Sequence, residues 1–255
     1  MIILFDGLNI VCNVASYNAE ETAEATLKEA CAILDLACPD INHRPNHYTP
    51  VFVWDPTKTS TNPEKDGCVR KHILPTYKAN RRQKHAKIVE AISQKSHIKD
   101  YLSLYGIKNI EQSGLEADDL IAFICKLAKN KPVVIVSEDK DFLQLVDPRI
   151  SVIRNNAWIA EHNFHQHMGM TPSQYLDWKI LTGDPSDNIP PIKSQVESKQ
   201  WIHAGATQAE LSAQEQELYN RNKLLIKLNL WKVKGAVAPK VWRTAKQKWN
   251  KIYTA

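Results

Sequence analysis

The chain has 255 residues, 43% of them apolar and 24% charged, with 33 Lys and Arg against 28 Asp and Glu. This length allows one large domain or two small ones, and the composition is that of a folded globular protein rather than a disordered or fibrous one. No apolar stretch approaches 18 residues, no basic leader precedes the first apolar run, and the five cysteines lack C-x-x-C spacing, which excludes a membrane span, a secretory signal and a disulfide framework and points to a cytoplasmic protein with reduced thiols.

In chain order, Ile2-Ile3-Leu4-Phe5 reads as a short buried strand followed directly by Asp6, after which Gly7-Leu8-Asn9 is expected to turn the chain. Residues Ala19 to Cys38 form an alanine-rich helix pattern with Leu27, Cys31 and Leu34 on one face, ended by Pro39. His43 and His47 have the spacing of helical ligands, but Pro45 between them favours a loop. A second strand, Val51 to Trp54, is followed directly by Asp55.

From Pro56 to Lys87 the chain is first turn-rich and then basic, with Arg70, Lys71, His72, Tyr77, Lys78, Arg81, Arg82, Lys84 and Lys87. A solvated charged face is one reading. The other is a nucleic-acid contact in which Tyr77 stacks on a base while the cations meet phosphates, and this stretch alone does not separate the two. A helix through about Tyr105 and a strand near Ile107 to Ile110 follow.

The segment Gln112 to Asp119, QSGLEADD, crowds Glu116, Asp118 and Asp119 into the start of a helix whose apolar stripe is Leu120, Ile121, Phe123, Ile124 and Leu127. Taken alone these acids fit a capping box begun by Ser113 and the preference for negative charge in a first helical turn. A third strand, Val133 to Val136, changes that reading, because Asp139 and Asp141 follow it after Ser137 and Glu138. In a parallel α/β sheet ligands gather outside the carboxyl ends of the strands, so Asp6, Asp55, Asp139 and Asp141 would share one edge with the acidic helix start. So many carboxylates repel one another unless cations compensate. Oxygen-only ligation suits magnesium, with manganese as a substitute.

Beyond Asp141, Phe142 to Leu145 continues as a short helix and Ile150 to Ile153 as a strand. His162, His165 and His167 have no cysteine partners and read as a surface loop. Thr171-Pro172 starts a helix carrying Tyr175, Leu176, Trp178 and Leu181, which ends at Gly183-Asp184-Pro185-Ser186-Asp187-Asn188-Ile189-Pro190. By itself that end is a tight Asp/Asn turn. Adding Asp184 and Asp187 makes nine clustered acids, and setting those aside leaves 19 acidic against 33 basic residues, a balance of +14. From Leu218 onward there is no acid, against ten bases and the tryptophans Trp231, Trp242 and Trp249, a pattern that predicts nucleic-acid binding.

The ordered set DGLN at 6 to 9, Asp55, YKANR at 77 to 81, EADDL at 116 to 120, SEDKDF at 137 to 142 and GDPSDNIP at 183 to 190 resembles the 5′-nuclease superfamily. Its members include flap endonucleases, the 5′ to 3′ exonuclease domain of bacterial DNA polymerase I and phage 5′-exonucleases. The resemblance implies an α/β fold, a PIN-like core with a central mostly parallel sheet flanked by helices over residues 1–165, with an arch or gateway around 56–87. A helical DNA-binding region over 166–255 would follow. It implies a metal cage in which Asp6, Asp55, Glu116 and Asp118 form one part and Asp139, Asp141, Asp184, Asp187 and Asp119 the rest. Lys78 and Arg81 would act at the scissile phosphate, and Tyr77, Arg82, Arg70, Lys71, Lys193 and Lys199 would meet the nucleic acid.

The family's glycine-rich hairpin turn should follow GDPSDNIP, yet residues 191–199 contain no glycine, which puts the usual potassium site and backbone grip in doubt. The activity implied is hydrolysis of phosphodiester bonds with two magnesium ions about 4 Å apart. Substrates would be DNA with 5′ ends, nicks, gaps or flaps, with RNA–DNA hybrid ends as a further candidate, acted on by a monomeric phage or bacterial enzyme beside an unidentified replication partner. Two alternatives stand beside it. One is a DNA-binding accessory protein whose catalysis has lapsed, against which the complete carboxylate set argues; the other is a PIN-type ribonuclease, against which YKANR and GDPSDNIP argue.

Overall fold

Four-residue runs of β-branched and aromatic residues have no polar face to offer water, so they belong in a parallel sheet covered on both sides. The computed structural model, which describes residues 1–38, 47–56, 69–80, 86–233 and 236–254, has that sheet. Strands β1 (Ile2–Asp6), β2 (Thr49–Trp54), β3 (Lys108–Glu111), β4 (Val133–Val136), β5 (Ile150–Arg154) and β6 (Ala157–Ile159) lie in the order β3-β2-β1-β4-β5-β6. The first five are parallel and β6 is antiparallel. Winding outward from β1 to β3 and then resuming at β4 on the other side of β1 leaves a crevice at the carboxyl ends of β1 and β4.

Alternation splits the core between the two faces. Ile2, Leu4, Val51, Val53, Val133 and Ile135 pack with α6 (Ala117–Leu127) and α11 (Pro239–Thr254), whereas Ile3, Phe5, Phe52, Trp54, Val134 and Val136 pack with α1 (Gly7–Val14), α2 (Ala19–Ala37), α4 (Ala86–Ser93) and α5 (Lys95–Leu104). Ile2 to Phe5 are at most 1% exposed, which stabilises the fold by about 2 kcal/mol per side chain. A third cluster joins Tyr77, just beyond α3 (Val69–Ile73), to α8 (Pro172–Thr182) and α10 (Ala213–Ile226). Two further helices, α7 (Phe164–Met168) and α9 (Gln195–His203), flank α8.

Several local expectations change in the fold. Gly7-Leu8-Asn9 begins α1 rather than a turn, because the Asp6 side chain accepts a hydrogen bond from the Asn9 N–H as N-cap. A Cβ on Gly7 would lie 2.6 Å from the Trp54 indole, so glycine is needed for β1 to enter that helix beside β2. Residues 86–104 form two helices that break at Gln94. The capping box expected at Ser113 is absent: Glu116 occupies the N-cap position without a capping bond, and the Ala117 N–H is satisfied by Asp55 Oδ1 at 2.9 Å. Real capping boxes open α8 (Thr171 with Gln174), α9 (Ser194 with Glu197) and α10 (Ser212 with Glu215). Strand β6 is an addition to the expected elements; Asn155-Asn156, both at positive φ, make the hairpin turn that leads into it and are its signal in the sequence. The histidines 162, 165 and 167 sit in the short helical turns Glu161–Asn163 and α7 rather than in a loop.

Candidate metal centre and nuclease site

The crevice between β1 and β4 collects the strand-end aspartates. Asp6 Oδ2 accepts a hydrogen bond from Ser137 Oγ at 2.9 Å, and the same hydroxyl oxygen accepts the Asp139 N–H at 3.0 Å. Asn9 Oδ1 accepts the Glu138 N–H at 3.0 Å, so DGLN ties the segment after β4 against α1. Burial pushes the Asp6 carboxyl up to about 7, with Asp55 and Asp139 adding repulsion against Ser137. A carboxyl raised in this way favours either a proton or a metal ion.

Asp55 is aimed by its bond to the start of α6, the helix that carries the second group. Glu116, Asp118 and Asp119 present ligand oxygens that all lie within 4.8 Å of one another, and among the described residues this is the one group of three metal-capable side chains that converges so closely. Burial and the neighbouring Asp119 hold the Asp118 carboxyl well above the ordinary carboxylate value. An all-oxygen set whose charged state is destabilised by its own crowding fits a hard divalent cation.

The basic segment comes to this group from the side. Lys78 stands at φ 58° with its N–H bonded to Asp187 O at 2.9 Å, and its Nζ reaches Glu116 Oε1 at 2.6 Å. Although burial alone would lower it, Glu116, Asp118 and Asp187 hold the Lys78 ammonium above its ordinary value. Asn80 Nδ2 donates to Pro185 O at 2.8 Å and Asn188 Nδ2 donates to Thr76 O at 3.0 Å, so YKAN and GDPSDNIP are stitched together. Within the latter, Gly183 has φ +62° and a Cβ there would collide with the Ile189 carbonyl, which explains its glycine.

Two of the remaining carboxylates are bridged by a residue that sequence reasoning missed, while Asp139 Oδ1 accepts the Asp141 N–H at 2.8 Å and Asp187 lies buried in the turn after α8. Lys179 on α8 places Nζ 2.8 Å from Asp141 Oδ1 and 2.7 Å from Asp184 Oδ2. Burial raises the Asp141 carboxyl to about 6, against the pull of Lys179 and with repulsion from Asp139. Asp184 goes the other way: against the raising effect of burial, Lys179 and Ser186 hold it below the ordinary value. Burial would lower the Lys179 ammonium, but the two aspartates hold it well above the usual lysine value. Its signal is the spacing: one helical turn before Gly183, on the helix that leads into Asp184.

Other expected contacts are corrected by the packing. Arg70 is 2% exposed and serves the protein itself: NH1 and NH2 form a fork on Asp119 (2.8 and 2.9 Å), NH1 also meets Glu116 at 3.0 Å, and Nε donates to Leu225 O at 2.8 Å. It is an internal counter-ion, not a phosphate contact. Tyr77 is also 2% exposed and packs with Ile180, Leu181 and Ile189, so its ring offers no stacking platform. Trp231 and Trp242 pack on Phe123 with ring centroids at 5.7 and 4.8 Å, and Trp249 is buried, so the tail's tryptophans face the core. Lys193 pairs with Glu215 at 2.7 Å, while Lys71 and Lys199 are exposed. Arg81 and Arg82 lie outside the described residues.

The chain is similar to known proteins in sequence and in fold. The family described as 5′-3′ exonuclease, N-terminal resolvase-like domain, matches residues 16–169. The flap endonuclease Xni of Vibrio cholerae is 31% identical over 200 residues, covering 75% of this chain and 71% of that protein. DNA polymerase I of Mycobacterium tuberculosis is 36% identical over 138 residues, which is 50% of this chain and 15% of the polymerase. The T5 D15 protein, crystallised with metal ions, superposes with a TM-score of 0.75 over 98% of both chains at 20% identity, a likeness of fold. With the carboxylate centre in place at the switch point of that fold, the chain belongs to the 5′-3′ exonuclease family and is a metal-dependent nuclease.

Proposed function

We propose that the protein hydrolyses phosphodiester bonds in DNA at 5′ ends, nicks, gaps or flaps, with two magnesium ions as the working cofactors and manganese as a substitute. The observation that carries this reading is the meeting of Lys78 with Glu116 at the start of α6, beside the aspartates of β1, β2 and β4. Asp6, Asp55, Glu116 and Asp118 would hold one ion, and Asp139, Asp141, Asp184 and Asp187 would serve the other, with Asp119 held by the Arg70 fork behind them. When bound, such ions supply Lewis acidity and neutralise charge on the scissile phosphate. Lys78 adds positive charge where negative charge develops, and its partner Arg81 from YKANR is assigned the same role.

The chemistry needs a grip on the duplex. Residues 166–255 are assigned that role, with the exposed Lys71 and Lys199 and the outward bases of α11 (Lys240, Arg243, Lys246 and Lys251) meeting phosphates. Vibrio cholerae Xni, a flap endonuclease by name, supports a flap or 5′-end substrate. The test is parallel incubation of a 5′-labelled flap, a nicked duplex and single-stranded RNA with Mg²⁺ and with a chelator. Mg²⁺-dependent products from the two DNA substrates are expected, and product lengths separate exonuclease from flap cutting. Cleavage of the RNA alone would sink the assignment.

A further inference from the structure

The two carboxylate groups differ in how their oxygens are occupied. At the start of α6 the ligand oxygens of Glu116, Asp118 and Asp119 converge, with Arg70 forked onto both Asp119 oxygens and sharing Glu116 with Lys78, so that Asp118 is left without an ion pair among the described residues. Asp141 and Asp184, by contrast, come from separate elements, the 3₁₀ turn Lys140–Leu145 and the loop after α8, and are joined by one ammonium. Arg70 is anchored independently by the Leu225 carbonyl on α10 and is a rigid fork; Lys179 is a point charge on a four-carbon stem, held by the carboxylates themselves.

We propose that Lys179 occupies the second cation position, so that its ammonium and a divalent ion exclude one another between Asp141 and Asp184 until a nucleic-acid phosphate draws the ammonium away. The inference rests on the two-ion reading above. A cation within hydrogen-bonding distance of both carboxylates takes oxygens that the ion needs, and its charge repels the ion across a poorly solvated gap. A phosphate in the cleft supplies a replacement acceptor for Nζ, which frees Asp141 and Asp184. Binding of nucleic acid and of the second ion is thereby coupled, each raising the affinity for the other.

The decisive measurement is calorimetric titration of Mn²⁺ into the full chain without nucleic acid, wild type beside Lys179→Met. The variant is expected to bind a second ion at least about tenfold more tightly than wild type. Lys179→Met/Asp184→Asn should lose the gained ion, and Lys179→Arg, which keeps the charge, should titrate like wild type. Should Lys179→Met not fold, Lys179→Gln, which keeps a donor without the charge, carries the same expectation. Equal stoichiometry and affinity in wild type and the uncharged variants would overturn the proposal while leaving the first ion in place. No Mn²⁺ binding in any of them would overturn the metal-dependent reading with it, a result plainly distinct from the former.

Discussion

Arg70 and Lys179 each lie against a pair of acidic side chains, but one is a fork anchored at both ends and the other an ammonium on a flexible stem. Arg70 bonds to Asp119 and Glu116 on one side and to the Leu225 carbonyl on the other, tying α3, α6 and α10 into one unit. Lys179 donates to Asp184 and forms an ion pair with Asp141, the two lying just after α8 and in the turn after β4. The same electrostatic problem, carboxylates forced together, is met by an anchored fork with Lys78 beside it in one half and by a single ammonium in the other. The difference separates what holds the centre together from what prepares it to receive ions.

Four changes break or sharpen that contrast. The largest effect is expected from Asp118→Asn, which removes an oxygen from the converging group: hydrolysis of a labelled flap should fall on the order of 10³-fold, equal to about 4 kcal/mol of transition-state stabilisation. Filter binding of the same DNA should stay near wild type, and near-normal turnover would remove the α6 group from the chemistry.

Next, Arg70→Gln leaves the buried Asp119 without its fork and should destabilise the chain by about 3–5 kcal/mol. Chemical denaturation reads this directly. A loss as small as that expected from an exposed pair, about 1 kcal/mol or less, would mean that Arg70 does not anchor the α6 half.

The third change concerns protons. In the folded chain the Asp6 carboxyl holds its proton up to about pH 7, whereas in the unfolded chain it ionises near an ordinary value of about 3.9. The folded state therefore binds more protons between those values, and Asp6 contributes stability that is full below about pH 4 and lost as pH rises through about 7. In chelator, the melting temperature of wild type should fall over that window relative to Asp6→Asn, by an amount equal to about 2–4 kcal/mol. Parallel pH profiles would show that Asp6 is not proton-linked, and added Mg²⁺ should shrink the difference by replacing the proton with an ion.

The smallest effect belongs to the tail. Removal of α11 would also strip Ala245 and Trp249 from the core, so deletion confuses packing with charge. Changing the exposed Lys240, Arg243, Lys246 and Lys251 to Gln is the cleaner test. Stability should move by less than about 0.5 kcal/mol per site. The slope of log affinity against log salt should become shallower by about 0.9 for each phosphate that the variant no longer neutralises. An unchanged slope would assign the outer face of α11 to something other than duplex DNA.

The sequence by itself determined the sheet and the carboxylates. Ile2–Phe5, Val51–Trp54 and Val133–Val136 can be satisfied only inside a parallel sheet, and a chain that follows each such strand with an aspartate, at once or within three residues, delivers those aspartates to one edge. The acidic start of α6 was equally legible, because its apolar stripe dictates which end faces the crevice. What the sequence could not show was which polyanion each cation serves. Arg70 and Lys78 stand in the same basic run, yet Arg70 meets partners 49 and 155 residues away inside the protein, and Lys179 sits in a helix whose legible signals are its cap and its apolar residues. Tyr77 and the tail tryptophans likewise carry a composition that suits nucleic acid but turn inward. Charge and aromaticity are properties of a residue, but the partner it faces is set by long-range packing, and only the tertiary structure decides that.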